Sequence, residues 1–140
     1  MKHVFLDTDI VLDLLQKRQP FAEPAARLFS QIEQKKLRAS LSPLTVANTY
    51  YVLRRGTSSR EALRSLRLFL NLVAVIPMTQ KTVDLALLSG FRDFEDALQY
   101  YTALDQGLEV LLTRNKKDYK NASIPIMTAA EFLEEYDESL

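Results

Sequence analysis

Short apolar runs and stretches of helical spacing alternate along this chain. Val4-Phe5-Leu6, entered at His3 and stopped by Asp7, predicts a buried strand. Helical spacing follows around Val11, Leu14 and Leu15, and again beyond Pro24 at Ala25, Leu28, Phe29 and Ile32. Arg38-Ala39-Ser40-Leu41 predicts a weaker strand. Ser42 then reads as an N-cap with Pro43 at the first helical position, opening a helix to about Arg55. Ser58-Ser59-Arg60-Glu61 has the spacing of a capping box and begins another helix, with Leu63, Leu66 and Leu70 on one face.

The second half repeats the alternation. Val73-Ala74-Val75-Ile76, ended by Pro77, predicts a strand, and Thr79 starts a helix through Val83, Ala86 and Leu87 that ends near Gly90. Asp93 begins the next helix, with Ala97, Tyr101 and Leu104 at helical spacing and Gly107 as its stop. Val110-Leu111-Leu112-Thr113 predicts a central strand. Ile124-Pro125-Ile126-Met127 predicts an edge strand, because proline cannot donate to a ladder. Thr128-Ala129-Ala130-Glu131 repeats the capping-box spacing ahead of a terminal helix. Short strands alternating with helices point to an α/β domain around a parallel sheet. The strands are nearly all apolar rather than alternating, as expected when helices cover both faces. With 140 residues, no internal repeat and no linker, residues 1–140 are expected to form one domain.

Composition narrows the chemistry more than the fold. The chain has 0 Cys, which excludes disulfides, a thiolate nucleophile and a cysteine zinc site. It has 1 His, so a two-histidine zinc motif is excluded too, and His3 reads as a strand residue. Catalysis must therefore rest on carboxylates, hydroxyls, amides and cations. Lys and Arg number 18 and Asp and Glu 18, so bulk charge does not steer the molecule to nucleic acid. The charges are unevenly placed: Arg54, Arg55, Arg60, Arg64 and Arg67 form a basic stretch, while Glu131, Glu134, Glu135, Asp137 and Glu138 make an acidic end. Both read most simply as solvated helix faces. Asp7, Asp9 and Asp13 interrupt the N-terminal apolar stretch, and no run approaches the roughly 18 apolar residues of a membrane span. The expectation is a cytoplasmic protein with neither membrane span nor secretory signal.

In open parallel sheets ligands bind beyond the carboxyl ends of the strands, where the strand order reverses. Asp7 stands at the end of the first predicted strand, and Thr113, Arg114 and Asn115 at the end of the fourth, with Asp118 one turn further. Asp93 and Asp96, three residues apart, share a face in the first turn of their helix. Asp93 and Asp96 also suit the plain roles of cap and dipole partner, and Asp118 that of a turn residue. Asp7 is harder to explain away, since a carboxylate set against a buried strand needs a partner or a metal to stay charged. Carboxylates gathered at one rim repel unless a cation intervenes, and an oxygen-only donor set favours Mg²⁺ or Mn²⁺ over zinc.

Four stretches of sequence resemble the PIN-domain family. Phe5-Leu6-Asp7-Thr8-Asp9-Ile10-Val11-Leu12-Asp13 resembles its opening, where an aspartate follows the first strand. Asp93-Phe94-Glu95-Asp96-Ala97-Leu98-Gln99 and Leu112-Thr113-Arg114-Asn115-Lys116-Lys117-Asp118-Tyr119 resemble two further signatures. Ile124 to Thr128 followed by Glu131-Phe132-Leu133 resembles the closing strand and helix. The ordered set spans essentially the whole chain.

The resemblance implies a three-layer α/β/α sandwich with a central parallel sheet of about five strands, in an order near 3-2-1-4-5. It implies a Mg²⁺- or Mn²⁺-dependent ribonuclease of the VapC-like toxin type, part of a type II toxin–antitoxin pair and silenced by a cognate antitoxin, with a homodimer as the usual assembly. Carried over by position, Asp7 and Asp96 match metal-binding acids, Asp93 an accessory acid and Thr113 the hydroxyl that orients the site. Two positions depart from the commoner pattern. Asn48 stands where a glutamate is usual on the third helix, and Asn115 stands where an acid often follows the fourth strand. A branch of the family carries Asn at such places with an aspartate at the position of Asp118. Arg114, Lys116 and Lys117 would offer phosphate contacts to RNA, or else stand as solvated loop charges. The rival readings are a nuclease-impaired PIN module that binds RNA or an antitoxin without cleaving, and a haloacid-type phosphatase, whose Asp-x-Asp pair Asp7-Thr8-Asp9 would imitate. That class usually needs a longer chain, which ranks it last.

Overall fold

The computed structural model describes residues 1–119 and 122–136. The elements, in chain order, are β1 (His3–Leu6), α1 (Thr8–Leu15), α2 (Ala22–Glu33), β2 (Arg38–Leu41), α3 (Pro43–Gly56), α4 (Ser59–Phe69), β3 (Ala74–Val75), α5 (Gln80–Leu88), α6 (Phe94–Asp105), β4 (Val110–Leu112), β5 (Ile126–Met127) and α7 (Ala129–Tyr136). A single 3-10 turn, Lys116–Tyr119, lies between β4 and β5. All strand pairs are parallel, in the order β3-β2-β1-β4-β5. That is the architecture the resemblance implied. Among the described residues no helix is long and apolar enough to cross a membrane.

Side-chain alternation along the central strands divides the core between the two faces of the sheet. Val4 and Leu6 of β1 and Val110 and Leu112 of β4 pack with Ile10, Leu28, Phe29 and Phe132, from α1, α2 and α7. Phe5 and Leu111 point the other way, into Tyr100, Ala103 and Tyr119. A third cluster, Leu12, Leu53, Ala62 and Leu66, joins α1 to the α3–α4 hairpin.

The capping residues act where the sequence placed them. Ser42, Ser58, Thr79 and Asp93 each accept a hydrogen bond from an N–H of their helix's first turn. At α7 the capping box closes in both directions: Glu131 N–H donates to Thr128 Oγ1 at 3.1 Å, and Thr128 N–H to Glu131 Oε1 at 2.9 Å. Two elements differ from expectation. α2 begins at Ala22, ahead of Pro24, because first-turn N–H groups have no intrahelical acceptor and proline costs nothing there. β3 shrinks to two exposed residues at the sheet edge, with Val73 and Ile76 turned inward on either side. β5 is an edge strand as expected, and Pro125 serves it as an acceptor, its carbonyl taking the Leu111 N–H at 3.0 Å. Of the acidic C-terminal residues, Asp137 and Glu138 lie outside the described residues.

Candidate active site

β1 and β4 lie side by side, so their carboxyl ends bring Asp7 and Thr113 together. Asp7 caps α1, its Oδ1 accepting the Thr8 N–H at 2.8 Å. The other oxygen accepts from the hydroxyls of Thr113 at 2.9 Å and Tyr119 at 3.2 Å. The Gln99 amide donates to Oδ1 from 3.4 Å. The strand fixes where this carboxylate stands, and four donors fix how it is turned.

Asp96 lies in the first turn of α6 and accepts the Tyr119 hydroxyl at 3.2 Å on Oδ1 and the Asn115 amide at 3.2 Å on Oδ2. The Tyr119 hydroxyl thus bridges the two buried acids. Asp93 caps α6 by accepting the Asp96 N–H at 3.1 Å, so the plain capping role is real. It does not exclude another: Asp93, Asp96 and Asp118 offer carboxylate oxygens all within 4.8 Å of one another. Burial, and then the charges of Asp7, Asp93 and Asp118, push the Asp96 carboxyl up to about 7. The Tyr119 hydroxyl is driven upward by burial and by the same two acids, so it stays a proton donor.

Asn115 holds the two sides of this cluster together, its amide donating to both Asp96 and Asp118. Its own N–H donates to Thr113 Oγ1 at 3.0 Å, which orients the threonine toward Asp7. A half-turn of the Asn115 side chain would exchange amide nitrogen for oxygen and present an acceptor to a cation. Among the described residues Asn48 makes no hydrogen bond to the four aspartates. Among the described residues its hydrogen bond goes to Glu95, 3.0 Å from Nδ2 to Oε1, at the start of α6.

The rim cations fare differently. Arg114 grips Asp13 with two hydrogen bonds of 2.8 and 3.0 Å and lies 3.9 Å over the Phe21 ring. Lys116 is paired with Glu131 at 2.8 Å, and Lys117 is exposed. With Asp9 and Asn115 these three residues line an open depression of about 480 Å³.

Five contributors were not singled out from the sequence. Asp9 accepts the Arg114 N–H at 3.0 Å and the Thr113 hydroxyl at 3.4 Å, while its Oδ1 is buried with no hydrogen-bond partner among the described residues. Burial and the neighbouring Asp7 push its carboxyl up to about 6. Asp13 is 2% exposed, and a charge inside the apolar face of α1 is itself a signal that a cation must be near. Gln99, one turn after Asp96 in an apolar stretch, carries the same kind of signal: it accepts from Ser42 Oγ and donates to Thr45 Oγ1, both at 2.6 Å. Tyr119 and Glu95 are legible only as neighbours of acids already chosen.

The donor set fits a hard divalent cation. It consists of oxygens alone, burial and then the neighbouring acids hold the Asp96 carboxyl at about 7, and among the described residues no Lys or Arg forms an ion pair with Asp7, Asp93, Asp96 or Asp118.

Comparison with known proteins adds a lineage. The model of the PIN domain matches residues 3–117. Ribonuclease VapC1 of Aquifex aeolicus (strain VF5) is 27% identical over 139 residues, spanning 96% of this chain and 95% of that protein. A toxin-antitoxin complex from Klebsiella pneumoniae contains a chain with a TM-score of 0.67 at 23% identity, covering 90% of this chain and 97% of that one. VapBC-1 from nontypeable Haemophilus influenzae gives 0.67 at 17% identity, with coverages of 91% and 98%. The two structural likenesses are likenesses of fold.

Proposed function

The chain belongs to the PIN-domain family, and from that premise we propose that it is a Mg²⁺- or Mn²⁺-dependent endoribonuclease, the toxin of a toxin–antitoxin pair. One observation carries the reading: Asp93, Asp96 and Asp118 converge within 4.8 Å, and Tyr119 ties that trio to Asp7 at the end of the central strand. Likeness to a protein named as a ribonuclease supports the substrate class.

Asp7 and Asp96 would hold the cation, with Asp93 and Asp118 beside it. When bound, the cation supplies positive charge against phosphoryl oxygens and acidifies water for attack. The protein's own groups do the rest. Thr113 and Tyr119 keep Asp7 turned toward the cluster by donating to one of its oxygens. Asp93 is exposed and Asp118 half-buried, so either can take a proton from the attacking water. Asn115 spaces Asp96 from Asp118, and Asn48 contributes no charge. Lys116 and Lys117 flank the opening and offer contacts to the RNA backbone, which position a strand without reading it. Arg114 lines the same opening with its guanidinium held by Asp13.

A cognate antitoxin is the proposed partner, with a homodimer in the cytoplasm as the working assembly; the named complexes among the fold's neighbours support the first. Asn48, engaged by Glu95, leaves α3 without a carboxylate and favours one second reading, a module that binds RNA or antitoxin without cleaving. Incubating the protein with single-stranded RNA and Mn²⁺ separates the two. Cleavage should stop on chelation and be lost in Asp7→Asn while the circular dichroism stays native. RNA left intact by the parent at saturating Mn²⁺ would refute the nuclease reading.

A further inference from the structure

Arg114 stands between two depressions with different walls. One is the polar opening it shares with Asp9, Asn115, Lys116 and Lys117. The other is a smaller cavity of about 140 Å³, lined largely by the apolar side chains of Ile10, Phe21, Pro24, Ala129 and Ala130. It is the size of an aromatic ring, since a dry apolar cavity of about 150 Å³ takes up benzene. Asp13 is the acid in its wall, and both of its oxygens are taken by Arg114.

Two of the lining residues are poised for more than packing. Phe21 belongs to none of the three core clusters and is 39% exposed. Folding makes little use of this ring, and the Arg114 guanidinium lies 3.9 Å over it. Arg114 in turn is held through Nε and Nη2 by Asp13, and through its backbone N–H by Asp9. Its Nη1 has no hydrogen-bond partner among the described residues. An arginine fork fixed in this way loses little freedom when it binds. Chain position ties it to the acids: Thr113, just before it, donates to Asp7, and Asn115, just after it, donates to Asp96 and Asp118. A phosphodiester drawn to those acids would bring an adjoining base within reach of Arg114. We propose that the cavity is a subsite for one base of the RNA, with Phe21 as the stacking surface and Arg114 as the donor to the base's edge. Guanine suits it best, because O6 and N7 are the adjacent acceptors that an arginine fork meets. An aliphatic side chain from a protein partner would also fill the apolar wall, but it would bury Nη1 with nothing to accept from it.

This rests on the RNA-cleaving reading above and deepens it. Phe21→Ala is the decisive variant, because it removes the ring and spares the Arg114–Asp13 pair. The probes are short labelled RNA strands that are abasic except for a single guanosine, a single adenosine or no base at all. Fluorescence anisotropy measures their binding with Ca²⁺ in place of Mn²⁺. The parent should bind the guanosine strand roughly tenfold tighter than the baseless one. Phe21→Ala should lose most of that gain and bind the baseless strand as the parent does. Phe21→Tyr, which keeps a ring, should stay within about threefold of the parent. Equal loss on the baseless strand would show that Phe21 only holds Arg114 against phosphate, and overturns the proposal. Equal binding of guanosine and adenosine overturns Arg114 as the edge donor. Equal affinity of parent and Phe21→Ala for the guanosine strand overturns the subsite and leaves the cavity to the proposed antitoxin. The nuclease reading stands or falls separately, on cleavage by the parent in Mn²⁺.

Discussion

Replacing Asp96 by Asn should make the cation-free protein more stable in mild alkali and less stable in acid, with the order reversing near pH 5. The Asp96 carboxyl stands at about 7 in the fold against an ordinary 3.8. A raised carboxyl binds its proton more tightly folded than unfolded, so the fold loses stability as pH climbs from about 4 to about 7 and keeps that loss above. Complete conversion at about 1.4 kcal/mol per pH unit gives about 4 kcal/mol. Water reaching the cluster through exposed Asp93 and half-buried Asp118 screens this, and we take about half, or ~2 kcal/mol. Asparagine abolishes the penalty but turns an N–H₂ toward the Asn115 amide where an acceptor stood, at a cost of about 1 kcal/mol. The variant should then be about 0.5 kcal/mol less stable at pH 4.5 and about 1 kcal/mol more stable at pH 8, shifts of roughly 1–2 °C down and 3 °C up in midpoint. Urea melts in the presence of a chelator at several pH values measure it. Adding Mn²⁺ at pH 8 should raise the parent above the variant again, because only the parent couples binding to folding. A stability difference that stays constant from pH 4.5 to pH 8 would refute the reasoning, whatever its sign.

Two further outcomes follow from the supporting contacts. Arg114→Met leaves Asp13 charged and 2% exposed, and should cost about 3 kcal/mol in a denaturant melt; the double variant with Asp13→Leu should recover most of that, and no recovery would mean the pair is not the cause. Tyr119→Phe removes the donor that lowers the Asp96 carboxyl, so the pH at which Mn²⁺ binding is half-developed should move up by about half a unit; an unmoved profile would show that the bridge is idle.

How far the sequence disclosed all this depends on range. Strand ends are local: an apolar run stops at Asp7 or at Thr113, and the rule for parallel sheets places both at the rim. The helix caps at Ser42, Asp93 and Thr128 are local in the same way, and the structure reproduces each. β3 was legible as apolar but not as short, because what shortens it is its place at the sheet edge, with β2 as its single neighbour. The partners of buried charges were the least legible. Asp13 announces that it needs a cation, yet Arg114 lies 101 residues away. The Asn48–Glu95 hydrogen bond spans 47 residues and joins two helices whose facing sides are set only once both have packed on the sheet. Pattern reading reports which face of an element is apolar, not which polar group meets which across a gap.

The pairing of β1 with β4 orders events in time. Thr113, the hydroxyl donor to Asp7, is synthesised 106 residues after it. A nascent chain can lay β1 beside β2 early, but the slot for β4 stays empty and the first turn of α6 has nothing to close against. Truncated or stalled products therefore carry Asp7 with none of its late donors, and Asp93 and Asp96 without Asn115 or Asp118 to complete the cluster. The acidic centre comes into being only after Tyr119 has been added and folded back onto Asp7 and Asp96.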